Sequence, residues 1–155
     1  MRKIDSIDRQ LLAILQENAE VPLAELAARV HLSPTPCWRR IQRLESDGFI
    51  TRRVALLDPA RLNVGVTVFV SVKTSRHSQD WFEQFSATVA AIPEVVEFYR
   101  MSGDIDYLLR VVVPDIAAYD RVYKQLIAEA DLSDISSSFA MELIKCTTAL
   151  PLDYV

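Results

Sequence analysis

Cysteine and histidine are nearly missing from this chain of 155 residues, which has two of each. They form no CxxC pair and no histidine cluster, so a metal centre has no ligand set to start from. Cys37 falls on the inward stripe of a helix and Cys146 in a late strand, and both read as packing residues. His31 and His77 stand alone in turn-like contexts. No run of about eighteen apolar residues occurs, and no apolar h-region follows Met1-Arg2-Lys3, so neither membrane insertion nor export is supported. The expectation is a cytoplasmic protein. Internal repeats and low-complexity tracts are absent. The carboxylates are scattered over helix faces and one turn with no His or Cys partner, so acid-base and nucleophilic catalysis both lack their groups. The chain reads as a non-enzyme without a cofactor.

What is present is unevenly distributed. Half the residues are apolar, enough to bury a core in one domain or two small ones, and two fit the pattern better. Residues 1–53 hold nine Lys/Arg against seven Asp/Glu, a net of +2, while the remainder carries −6 of the total −4. An acidic body thus conceals a basic head. One such head would bind a polyanion weakly, and duplicated heads on a dimer would compensate.

The head is organised by three helical stretches. The first fits Asp5 to about Glu17, with Asp5 or Ser6 as cap and an apolar face of Ile7, Leu11, Leu12, Ile14 and Leu15. A second starts at Glu20-Val21-Pro22 and runs through Leu23, Leu26, Ala27 and Val30. Only Val30-His31-Leu32-Ser33 separates it from a third, which is helix-turn-helix spacing. In the third, Ser33 suits the N-cap, Pro34 the first turn, and Gly48 the left-handed conformation that ends a helix. Cys37, Ile41 and Leu44 recur at i, i+4 and i+7 as a packing stripe. Thr35, Trp38, Arg39, Gln42 and Arg43 lie on or beside the opposite face. In a bundle of this kind the last helix enters the major groove of double-stranded DNA. Those five residues are expected at base edges, with Ser33 and Arg40, and further Arg52 and Arg53, at phosphates.

Beyond Gly48 the pattern changes to strand. Ile50 to Leu57 favours an extended segment, Asp58-Pro59 marks a turn, and the apolar residues suggest that this connector pairs with something, a second subunit included. Val66 to Thr74 reads as a strand and Gln79 to Ala91 as a helix with Trp81, Phe82, Phe85 and Val89 inward. Val95 to Met101 and Asp106 to Val113 read as a hairpin turning at Ser102-Gly103-Asp104-Ile105. Asp115 caps a second helix, and a last strand is expected from about Ile135 to Thr148. The fold class is therefore α+β: a three-helix helix-turn-helix domain (1–50), a connector (51–64), and a ferredoxin-like βαββαβ domain (65–155). Helices cover only one face of such a sheet. The other is expected to be apolar, with Ile135, Phe139, Met141 and Leu143 on it, and to need a second sheet.

The segments LSPTPCWRRIQRLESDGFI, VALLDP, SGDIDYLLRV and SSFAMELIKCTTALPL together resemble the leucine-responsive/asparagine-type (Lrp/AsnC) transcription regulators, over the whole chain. The resemblance implies a DNA-binding head and an amino-acid-binding regulatory domain, with homodimers that assemble into octamers. It places the effector near the second strand turn and the final strand: Met101, Gly103, Asp104 and Asp106, with Ser136, Ser137 and Ser138. Turn amides would receive an α-carboxylate, a carboxylate the ammonium, and serine hydroxyls either. Alternatively, Asp104 and Asp106 only fix a tight turn. Branched-chain (leucine-like), aromatic and sulfur amino acids all stay open as effectors. The rival function is a stand-alone amino-acid sensor or oligomerisation module without specific DNA binding.

Overall fold

The computed structural model describes residues 4–76, 78–128 and 132–155; His77 and the Met1-Arg2-Lys3 segment lie outside the described residues. The chain separates into two compact units. One holds the chain up to Leu56 together with Ile144–Val155, and the other Leu57–Leu143. The first unit thus reaches past 50 and also takes in the final segment, which sequence reasoning had put with the sheet.

In the first unit, α1 (Ser6–Glu17), α2 (Leu23–Arg29) and α3 (Pro34–Ser46) enclose a core of Leu11, Leu12, Leu26, Ala27, Val30, Cys37, Ile41 and Leu44. Asp5 is the N-cap of α1 in a full capping box: its carboxylate accepts from the Asp8 amide at 2.9 Å while the Asp8 carboxylate accepts from the Asp5 amide. The turn after α2 is closed by His31, whose φ of +56° is left-handed without being glycine. Helix α3 begins at Ser33, whose hydroxyl makes no cap bond, and ends where Gly48 takes φ +79° and the Phe49 amide donates to Leu44. The final segment docks on this bundle. The Gln16 side chain donates to the Leu150 carbonyl at 3.1 Å and accepts from its amide at 2.9 Å, and Leu152 packs on the core.

The second unit is a four-stranded antiparallel sheet in the order β2-β3-β1-β4, made of β1 (Val66–Lys73), β2 (Val95–Arg100), β3 (Tyr107–Val113) and β4 (Asp134–Phe139). Helices α4 (Gln79–Ala90) and α5 (Ile116–Ala128) cover one face. The alternation of β1 and β3 decides which: Val68, Val70, Val72, Tyr107, Leu109, Val111 and Val113 are buried against Trp81, Phe85 and Val89 of α4 and Ala118, Tyr119, Val122 and Leu126 of α5. The other face carries Phe69, Tyr99, Leu108 and Val112, with a Glu97–Arg110 ion pair at 2.6 Å among them. That guanidinium holds the Glu97 carboxyl below its ordinary range, helped by the Tyr99 hydroxyl.

Two expectations are corrected here. β4 ends at Phe139, not near Thr148, because β1 is its neighbour and the Val68↔Phe139 pair already lies near the start of β1; one further bond, Ala140 to Thr67, closes the ladder. Ile135 and Phe139 also lie toward the helices. Phe139 meets the Tyr119 ring edge-on at 5.3 Å, and Ile135 packs on the core, so neither belongs to the open face. Met141 and Leu143 lie past the strand, at 96 and 76% exposure. The connector from Thr51 to Leu57 is likewise exposed and joins no strand among the described residues.

Candidate functional site

The two faces of α3 separate as its periodicity predicts. Cys37, Ile41 and Leu44 are buried, and burial pushes the Cys37 thiol up. Ser33, Thr35, Trp38, Arg39 and Gln42 are exposed. Trp38 keeps half its surface in solvent, at 51%. Among the described residues Arg39 has no carboxylate partner. Gln42 donates to Glu45 at 2.9 Å, a weak surface contact that a better partner can displace.

The other two arginines of α3 are not free. Asp8 of α1, 1% exposed, accepts from Arg40 Nη1 at 2.8 Å on one oxygen and from Arg43 Nη2 on the other. Asp5 takes Arg40 Nη1 a second time at 2.7 Å. The Asp8 amide first, and then Arg40, hold the Asp5 carboxyl below its ordinary value, while Asp5 and Asp8 raise that of Arg40. Arg40 and Arg43 remain 26 and 30% exposed, so their outer N–H groups reach solvent at the flank of the helix. Arg53 is paired with Glu45 at 2.8 Å, and Arg52 is exposed. Sequence reasoning missed this network. Its one local signal was Asp5-x-x-Asp8, the capping-box spacing.

At the second unit, the turn 102–105 is closed by the Met101 amide donating to Asp106 at 2.8 Å, with Gly103 at φ +117°. Met101, Gly103 and Asp104 are exposed. Asp106 is committed inward: its carboxylate accepts from the Thr74 amide at 2.8 Å and its own amide donates to Val72. The start of β4 lies at the same end of the sheet, since Tyr107 and Ile135 both pair with Val72. Ser136 and Ser138 lie on the open face. Ser137 points the other way, hydrogen-bonded to the Tyr119 hydroxyl, whose pKa burial raises. The structure therefore groups the exposed turn with Ser136 and Ser138 but not with Ser137. Among the described residues no cluster of His, Cys, Asp or Glu has metal-site geometry, and no helix is long and apolar enough to cross a membrane.

A helix-turn-helix head with an exposed third-helix face is the layout of a DNA-binding protein, and here a separate α+β unit follows it. Comparison with known proteins bears this out. Residues 4–45 match the AsnC-type helix-turn-helix domain and residues 67–150 the Lrp/AsnC ligand binding domain, so the chain belongs to the Lrp/AsnC family of transcriptional regulators. The head match decides against a sensor without a DNA-binding domain. The chain is 50% identical over 151 residues to the DNA-binding transcriptional activator DecR of Escherichia coli, covering 97% of this chain and 99% of that one. It superposes with TM-score 0.94 on an AsnC family transcriptional regulator from Agrobacterium tumefaciens, at 63% identity over 97% of this chain and 99% of that one. A transcriptional regulator from Neisseria meningitidis, solved in complex with L-Met, matches with TM-score 0.93 at 38% identity over 98 and 99% of the two chains.

Proposed function

We propose that this regulator reads operator DNA with Thr35, Trp38, Arg39 and Gln42, holds the backbone with Ser33, Arg40, Arg43 and Arg52, and responds to a free amino acid. Arg43, expected at a base edge from its helical position, moves to the backbone group because its guanidinium is fastened to Asp8 at the flank. The observation that carries the DNA reading is the exposed, carboxylate-free Arg39 beside Thr35, Trp38 and Gln42 on a helix whose opposite stripe is fully packed. A guanidinium so placed can take both acceptors of a guanine. The amino-acid reading is supported by the family's ligand-binding domain and by the L-Met complex of the Neisseria meningitidis relative. In this chain the exposed Gly103 and Asp104, with Met101, Ser136 and Ser138, supply amides, a carboxylate and hydroxyls of the required kinds. Homodimerisation through the open sheet face, assembly of dimers into octamers and a cytoplasmic location complete the proposal.

Site selection with Arg39→Ala tests the head: affinity for the cognate site should fall by about 1–3 kcal/mol with preference relaxed at one base position. Calorimetry of the same protein against branched-chain, aromatic and sulfur amino acids tests the sensor. Unchanged base preference refutes the reading face, and heatless titrations with the whole panel refute the effector class.

A further inference from the structure

Asp8 is a fully buried carboxylate whose two oxygens are both occupied by arginines of the DNA-reading helix, and Asp5 adds a second, half-exposed carboxylate to one of them. The four groups carry two negative and two positive charges, so Arg40 and Arg43 are neutralised before DNA arrives. We propose that Asp5 and Asp8 are specificity-determining residues, which lower the affinity of the head for DNA of any sequence by discharging and fixing Arg40 and Arg43 while leaving Arg39 free to read bases. This deepens the reading of α3 as the DNA-contacting helix and rests on it.

The argument is electrostatic and geometric. Sequence-independent affinity comes from cations that replace condensed counterions at phosphates, so a cation already paired to a carboxylate contributes less of it. Specific affinity comes from base-edge contacts, which the exposed Thr35, Trp38, Arg39 and Gln42 provide without carboxylate competition on Arg39. Base contacts hold the head in the one register in which the fixed outer N–H groups of Arg40 and Arg43 meet phosphates, so discharging and fixing these arginines removes more from random binding, where a mobile cation would find a phosphate in any register, than from operator binding, and the ratio rises. The clamp also immobilises two long side chains. Arg40 is held from two directions, and neither guanidinium can swing to a base edge without abandoning a carboxylate that has no access to water.

Asp5→Asn is the decisive variant, because Asn caps a helix as well as Asp does while losing the charge, and Asp5→Ser is a second capping-competent replacement. Each is measured at full length with random-sequence duplex and with selected operator between 50 and 200 mM salt, with circular dichroism to verify folding. Random-sequence affinity should rise, and its loss over that salt range should grow about 3.5-fold for each cation released per head. The operator-to-random ratio should fall. Glu17→Gln makes the same charge change on an exposed residue that pairs with no arginine among the described residues, and should move the slope much less. A merely structural role would shift the melting temperature and leave the salt slope alone. A folded Asp5→Asn or Asp5→Ser head with the wild-type slope, or with no more than the Glu17→Gln change, overturns the proposal. Arg39→Gln separates the underlying reading: if it leaves both slope and base preference intact, α3 is not the DNA contact and the failure lies there.

Discussion

His31 carries the sharpest local conflict in the head. The turn between α2 and α3 needs a left-handed residue, and a side chain there costs about 1–2 kcal/mol that glycine avoids, against about 0.5–1 kcal/mol of extra unfolded-chain entropy for glycine. His31→Gly should therefore stabilise the head by up to about 1 kcal/mol, read as a rise in its thermal midpoint; a lower midpoint would mean that the imidazole is doing something the strain argument omits. At this scale the sequence was legible where the signal is local. The stripe of Cys37, Ile41 and Leu44 and the caps at Asp5 and Asp115 follow from spacing and side-chain chemistry alone. The bonds of Asp8 to Arg40 and Arg43 were not, because they join positions 32 and 35 residues apart, and nothing in periodicity says which carboxylate a flank arginine will find.

Elements show the same division. Period-two alternation identifies which residues of a strand share a face, and it grouped Ile135 with Phe139 correctly, but it cannot say which of the two faces the helices cover. Strand length fails for a related reason. The residues after Phe139 have strand propensity, yet a ladder needs a neighbour, and β1 starts only two residues before the Val68 that faces Phe139. The open face is instead defined by Phe69, Tyr99, Leu108 and Val112. If two copies pair across it, Phe69→Glu buries an unpaired charge and should dissociate the dimer, an effect of several kcal/mol. Sedimentation at micromolar concentration checks this. A folded Phe69→Glu protein of wild-type mass would place the subunit contact elsewhere.

For the whole molecule, the exceptional feature is the return of the final segment to the head. Gln16 grips Leu150 across 134 residues, Arg9 reaches the Val155 carbonyl at 3.3 Å, and Leu152 packs on the helical core. Leu152→Ala should therefore lower hydrogen-exchange protection in α1 and α3, while β1 and β3 keep theirs; equal losses in both units would show that the two do not open separately. No propensity scale reveals such a contact, since it depends on where the chain has travelled between the two ends. The contact also bears on time. A ribosome releases the three helices first and the sheet next, and supplies Leu150 and Leu152 only afterwards. The helix-turn-helix head therefore stays short of its full packing until the sheet unit has been made, and a chain halted midway carries three helices that open more readily than those of the finished protein.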